Sequence, residues 1–329
     1  MAGAEKDGMR RFWSGDFRTD WRDYFEVFQW EPSSTLPHYL CCFECGEMYE
    51  VREGRDPIND WLQTGVEECP ECHEQIDLFD VLAVGLQRKD SWHGIVPVGF
   101  RRSVIWHNVR VGQRISFDLT QHGVPADALL ARVAHDVDPS SGVTLVDFRT
   151  PDSARRLDHS VELFAVPSDK AGTSQVGARC MVLWLDADQS SVAARFMVSA
   201  LHAFAAKRYP ELLVHATTAV EVALKQMLIN RSAQLGISKR HAERSSRRAL
   251  AWMLVGLSMP SAGLLPRPPP QLWDNFDSLR NSRNELVHEG GANIALEAAA
   301  EHLTAGILML RYVQLCDQQL ASVRTGGGR

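Results

Sequence analysis

Leu279-Arg280-Asn281-Ser282-Arg283-Asn284-Glu285-Leu286-Val287-His288-Glu289-Gly290-Gly291 is the stretch on which the reading of this chain turns. At ~100° per residue it predicts a helix that puts Trp273, Phe276, Leu279, Leu286 and Val287 on one apolar stripe, terminated by Gly290-Gly291. Arg283 falls near the centre of that stripe. A guanidinium keeps its charge and is costly to bury alone, so Arg283 needs a carboxylate or a phosphate. Asn284 and His288, four residues apart, are neighbours on the flank of the same stripe. Either an acid on a neighbouring helix satisfies Arg283 and His288 merely complements the helix dipole, or the three side chains form a functional site at a helix end.

Working outward, helical periodicity covers the whole C-terminal segment. Residues 193–207 carry Met197, Ala200, Leu201 and Phe204 on one face, and Tyr209-Pro210-Glu211 opens a second helix running to about residue 230. That helix turns Leu213, Ala216, Val220, Ala223, Leu224 and Met227 inward and carries Glu221 at the stripe's edge. Glu221 is therefore the first candidate partner for Arg283, and Arg280 is a second supporting candidate. A third helix over 238–257 begins with Lys239, Arg240, Arg244, Arg247 and Arg248 against the acid Glu243, which reads as a phosphate-contacting patch or a solvated face. A Pro-rich break over 260–270 precedes the helix at 271–288. An alanine-rich helix over 294–317 closes the segment, and the tail 323–329 is expected to be disordered.

The N-terminal segment carries a different signal. Cys42-Phe43-Glu44-Cys45-Gly46 and Cys69-Pro70-Glu71-Cys72 are two tight Cys-x-x-Cys turns, each aiming two thiolates at one point. Together Cys42, Cys45, Cys69 and Cys72 make the tetrahedral set of a closed structural zinc site, resembling a zinc ribbon; unmetallated redox pairs are the alternative. The 23 residues between the pairs exceed the commonest spacing, which a longer strand pair or loop would absorb. Cys41 is a spare ligand beside Cys42, with His38 and His73 as weaker substitutes. With four sulfurs bound, no open position remains, so the metal is expected to staple the fold and not to catalyse. Ahead of it, Trp13, Phe17, Trp21, Tyr24, Phe25 and Phe28 recur at helical steps and suit an inward-packed aromatic face.

Between these two segments the period becomes that of strands. Residues 81–86, 94–100, 103–106, 114–119, 129–133, 142–146, 161–166 and 180–185 are short, β-branched and aromatic, with Gly/Pro/Ser/Asp punctuation, which argues a β-sandwich or barrel. Trp92-His93 and Trp106-His107 are its only hints of a ligand site. No Gly-x-Ser-x-Gly, P-loop or Gly-x-Gly-x-x-Gly supports a hydrolase, NTPase or dinucleotide reading. The expected fold is thus multidomain α+β: an N-terminal zinc ribbon (1–80), an all-β domain (81–189) and an all-α bundle (190–322).

Composition sets the outer bounds. The chain has 329 residues and a net charge of −6, so a nucleic-acid surface must be local. No apolar run reaches the ~18–20 residues of a membrane span and the N-terminus has no apolar signal region, so neither a membrane nor export is expected. Five of the seven cysteines lie between Cys41 and Cys72, which points to a metal site in a reducing cytoplasm. Glu44, Glu47, Glu50, Glu67, Glu68, Glu71 and Glu74 make the ribbon acidic, favouring protein contacts there over phosphate.

The helix pair joined near Tyr209-Pro210, the later helix ending in Arg283-Asn284-Glu285-Leu286-Val287-His288, and the closing helix together resemble the HEPN domain, over about 130 residues. Its signature is an Arg, a following polar residue and a His after a spacing of four to six; here Arg283, Asn284 and His288 match with four residues between. The resemblance implies a metal-independent endoribonuclease of toxin–antitoxin, antiphage or RNA-processing systems, working as a homodimer whose paired Arg and His line one cleft. It further implies RNA as the partner, a protein partner or antitoxin, and no catalytic cofactor. Diverged members imply the alternative: a non-catalytic module that binds nucleic acid or nucleotide, or only dimerises, inside a zinc-ribbon regulatory protein.

Overall fold

The computed structural model describes residues 39–42, 45, 48–50, 57–76, 78–87, 101–137, 143–147, 159–167, 175–188, 190–245, 267–290 and 293–322. The aromatic segment 13–28, His38, the Cys41 side chain, Trp92-His93, the strand expected at 94–100, Arg247, Arg248 and the tail 323–329 lie outside these residues.

Two small antiparallel hairpins begin the described chain: β1 (Tyr39–Cys41) with β2 (Met48–Glu50), and β3 (Glu67–Glu68) with β4 (Gln75–Ile76). Helix α1 (Pro57–Thr64) occupies the long spacer between them, where a longer strand pair or loop was expected. Helix α2 (Leu78–Gln87) follows, so the strand expected at 81–86 is a helix and a boundary at residue 80 would cut it. Leu78, Leu82 and Leu86 stack at four-residue steps, with Phe79 and Ala83 beside them, and all five are buried. A short apolar run buried nearly all round shows no period that separates helix from strand.

Six of the expected strands form, most of them longer than expected: β5 (Arg101–Arg110), β6 (Arg114–Asp118), β7 (Leu129–Val137), β8 (Val143–Asp147), β9 (Ser160–Pro167) and β10 (Gln175–Leu185), with a 3-10 turn (Leu119–His122) after β6. They make two three-stranded antiparallel sheets, ordered β5-β10-β7 and β6-β9-β8. Ile105, Val182 and Trp184 from the first sheet meet Val161 and Leu163 from the second in one core, closed by Leu119 and Leu130. The β7–β10 register shifts between Leu183 and Trp184. Beyond that bulge Ala131, Leu183 and Leu185 join the core of the helices instead. His202 donates from Nε2 to the Leu130 carbonyl at 2.7 Å, pinning the helices to β7. Burial holds the His202 pKa low, which keeps the ring neutral there.

The helices are α3 (Val192–Ala205), α4 (Tyr209–Asn230), α5 (Lys239–Ser245), α6 (Pro270–Glu289) and α7 (Leu296–Ser322). Ser191 caps α3 by accepting Ala194 N, and α4 starts with Pro in its first turn. Every residue of α7 from His302 to Val313 is buried. A helix apolar on all sides must be wrapped, and α7 packs on α3, α4 and α6 and also on α1 and α2. Cys42, Cys69, Trp61 and Leu82 therefore share one continuous core with Leu213, Phe276 and Tyr312. Two polar ties reinforce it. Arg231, capping α4, forms a two-pronged pair with Asp317 at 2.8 and 2.9 Å, and Arg311 donates to Asn59 of α1 at 2.9 Å. Among the described residues α4 alone is long and apolar enough to cross a membrane, which the sequence reading had not expected. Half of that window is buried within the fold.

Gly306 marks a close crossing of α7 on α4, because a Cβ built there would stand 3.1 Å from Ala216 Cβ. Gly306→Leu should force the two helices apart and cost about 1–3 kcal/mol, read as a lowered denaturant midpoint with an unchanged slope.

Candidate functional sites

The four thiols do converge. Cys42 Sγ lies 3.6 Å from Cys72 Sγ and Cys45 Sγ lies 3.8 Å from Cys69 Sγ, and all four sulfurs fall within 4.8 Å of one another. With metal–sulfur bonds of about 2.3 Å, a tetrahedral ion separates its sulfurs by roughly 3.8 Å, so the set could hold one metal ion with small adjustments. The local fold explains the aim. The first pair leaves the β1–β2 hairpin. The second lies in the β3–β4 turn, where Cys69 N donates to Glu74 O, His73 N donates to Cys69 O, and His73 adopts a positive φ of 60°. Burial works against ionisation of Cys69, but the backbone N–H groups of Cys72 and Glu71 and the neighbouring thiols of Cys72 and Cys42 outweigh it and lower its pKa. His73 is not a substitute ligand: its Nδ1 is bonded to Glu68 at 2.8 Å and the ring is exposed.

The second site lies at the end of α6. The buried stripe runs through Leu272, Phe276 and Leu279 with Leu286 partly buried, and Arg283 sits on its axis as expected. Val287 does not: it is 58% exposed, because fifteen residues at about 100° each carry it about 60° off the axis set by Leu272. Gly290 ends the helix in the left-handed region at φ 77°, its N–H donating to Leu286 O.

The expected ion pair with Glu221 is absent. Glu221 is exposed on α4, and among the described residues no carboxylate pairs with Arg283. Instead Arg283 Nη1 donates to Asn284 Oδ1 at 3.0 Å, while Nε is buried with no acceptor. That bond draws the guanidinium off the stripe's axis toward the flank that carries Asn284, Val287 and His288. His288 is exposed in the last turn, one turn beyond Asn284. Arg280 is engaged elsewhere, donating to Asp277 at 3.0 Å. Of the basic cluster, Lys239, Arg240 and Arg244 are exposed on α5, which anchors to the core through Ala242 and is capped by Ser238.

Two features escaped the sequence reading. Arg311 lies inside Ile307-Leu308-Met309-Leu310-Arg311-Tyr312-Val313, a cation in an apolar run and so the same signal that marked Arg283. Exposed Leu296 joins Val287 on either side of the α6–α7 turn. Cys316 is no hidden nucleophile, since burial pushes its thiol up to about 12.

Compared with protein-family models, curated proteins and solved structures, the chain matches none.

Because Cys42 and Cys69 lie in the same core as α7, metal binding and bundle stability should be linked. At a metal concentration a thousandfold above Kd the gain is about 4 kcal/mol. Calorimetry should show the helical transition rising with added Zn²⁺, and Cys69→Ser should abolish that rise. A helical transition indifferent to the metal would separate the two regions energetically.

Proposed function

We propose that the chain is a metal-independent endoribonuclease of the HEPN type, acting as a homodimer through the end of α6, with Zn²⁺ held structurally by Cys42, Cys45, Cys69 and Cys72. The observation that carries the reading is Arg283, a cation on an apolar stripe, held by Asn284 and left with a buried Nε that has no acceptor. A phosphate oxygen is the partner that geometry lacks.

The chemistry follows from the residue types. Cleavage without a metal uses the RNA 2′-OH as internal nucleophile. That oxygen loses a proton as it attacks phosphorus, and the departing 5′-oxygen gains one. An imidazole serves either role near neutral pH, and His288 is exposed to a substrate. Arg283 would neutralise charge growing on the phosphoryl oxygens, with Asn284 fixing the guanidinium's direction. The need for a 2′-OH restricts the substrate to RNA.

Helix geometry supports the dimer. Arg283 and His288 leave the helix about 140° apart, so one copy presents its acid–base group well to the side of its anion binder. A two-fold partner would bring a second His288 opposite Arg283, and exposed apolar Val287, adjacent to His288 in the chain, suits such an interface. Lys239, Arg240 and Arg244 would add phosphate contacts on α5. The ribbon, with its acidic side chains, is the surface for a protein partner or antitoxin, and reduced thiols fit a cytoplasmic effector of a toxin or antiphage system.

His288→Ala should lower cleavage of total RNA, with no divalent ion added, by about 100-fold or more, with Arg283→Ala similarly impaired and the dimer retained on sizing chromatography. Arg283→Lys should not restore activity, since a point charge does not replace a planar fork. Equal cleavage by wild type and both alanine variants would refute the assignment. RNA binding without cleavage by the wild type would make the unit a binding module instead.

A further inference from the structure

The readings above leave the Trp106-His107 pair unused. Both residues lie in β5, where successive side chains take opposite faces of the sheet. His107 meets Phe117 of the second sheet, with 3.9 Å between ring centroids, so it faces the core between the sheets. Trp106 therefore faces outward, and 46% of it is exposed. Its register partner is Arg179 of the central strand β10. The Arg179 guanidinium carbon stands 5.9 Å from the centroid of the indole, within cation–π range, and Arg179 itself is only 3% exposed. Asp136 of β7 is the register partner of Arg179 on its other side. The indole is thus backed by a buried cation and still reaches solvent.

Beside the indole the sheet is bare. Gly177 lies two residues from Arg179 on β10, on the same face and diagonal to Trp106, a separation of roughly 7–8 Å. Glycine weakens a strand, and nothing in the fold requires one here: its φ is not left-handed, and a Cβ would meet no atom within 4 Å. The position leaves open surface on which a flat ring can lie next to the indole. The surroundings are basic. Arg110 and Arg132 fall on this same face by register, opposite Gln175 and Leu183 of β10, and among the described residues neither pairs with an acid. Arg110 is exposed, and Arg132 is half-buried toward the helices. In a chain of net charge −6, three arginines and an exposed indole on one sheet face make a local surface for an anion that also carries flat rings.

We propose that the outer face of the β5-β10-β7 sheet binds single-stranded RNA, stacking an unpaired base on Trp106 above Gly177, with Arg110 and Arg132 contacting phosphates. An exposed indole offers a stacking surface to a base that is free of a duplex, while bases already stacked in a helix cannot use it. Arginines set off from the ring suit the backbone, whose charge they neutralise. Arg179 fixes the ring from below, so little side-chain freedom is lost when a base arrives. That the strand is RNA rests on the reading of α6; the stacking mode rests on the sheet.

The test is binding, read by fluorescence anisotropy of a short labelled RNA of mixed sequence on the full chain carrying His288→Ala, so that cleavage does not interfere. The single strand should bind more tightly than its duplex. Trp106→Ala should weaken single-strand binding by about 5- to 100-fold, and Trp106→Phe should retain most of the affinity. Gly177→Val suits a strand and meets no clash, so it should keep the fold by circular dichroism and yet weaken binding by filling the floor beside the indole. Arg110→Ala should lower the slope of log affinity against log salt by about 0.7. Single-strand affinity unchanged by Trp106→Ala, or equal affinity for the duplex, would overturn the proposal. Loss of self-association in Trp106→Ala with RNA binding unchanged would make the face an interface between copies instead. RNA bound through Trp106 but not cleaved by the wild type would refute the assignment of α6 alone. Cleavage by the wild type, with binding indifferent to Trp106→Ala, would refute the sheet face alone.

Discussion

The fold depends on α7 having no solvent side. Its run from His302 to Val313 is buried throughout, so the chain must supply neighbours around the whole circumference. The bundle helices α3, α4 and α6 cover part of it, and α1 and α2, which flank the second thiol pair, cover more. Gly306 lets α4 approach closely, and Arg311 donates a hydrogen bond to Asn59, far away in sequence. The thiol cluster is thus packed into the same core as the helices rather than tethered beside it.

This arrangement fixes α6 on one side and frees it on the other. Leu272, Phe276 and Leu279 are committed to the shared core, which leaves the last two turns to decide where Arg283 points. A guanidinium on the buried axis would carry a desolvation cost with no carboxylate to offset it. The Asn284 carbonyl relieves part of that cost by drawing the group toward the flank, where exposed His288 also stands. On the proposed reading, a phosphate completes what Asn284 begins, and the angular separation of Arg283 and His288 makes a second copy part of the site.

Sequence periodicity was a good guide wherever one face of an element met solvent. Helix α4, opened by Pro210, and strand β9, which alternates clearly, have small boundary errors, whereas β10, buried on both faces over its second half, begins five residues before its expected start. It failed at α2, where Leu78, Phe79, Val81, Leu82 and Leu86 are buried together and pattern cannot separate a helix from a core strand. The four thiols were legible because ligand chemistry demands Cys-x-x-Cys turns regardless of what lies between them. The spacer helix α1 was not, since its role is to meet α7, more than two hundred residues onward. Arg283 was recognisable as an anomaly, but its partner was not: Glu221 lay at a suitable helical position and faces solvent.

Three arginines show how the same misplaced charge takes different meanings. Arg231 meets both oxygens of Asp317, a geometry that uses its planar fork and leaves it no further task. Arg311, embedded in α7, reaches across to Asn59 and so ties the thiol-bearing region to the bundle. Among the described residues Arg283 has only the adjacent Asn284, a neutral acceptor that cannot balance its charge, and it sits about two turns from a helix end instead of mid-core. A structural role would be better served by either of the other two solutions. What distinguishes Arg283 is that its Nε is buried without an acceptor, on the same helix end that carries exposed His288. On the proposed reading, a phosphate would fill the place left open at Arg283, and a second copy's imidazole would complete the site at α6.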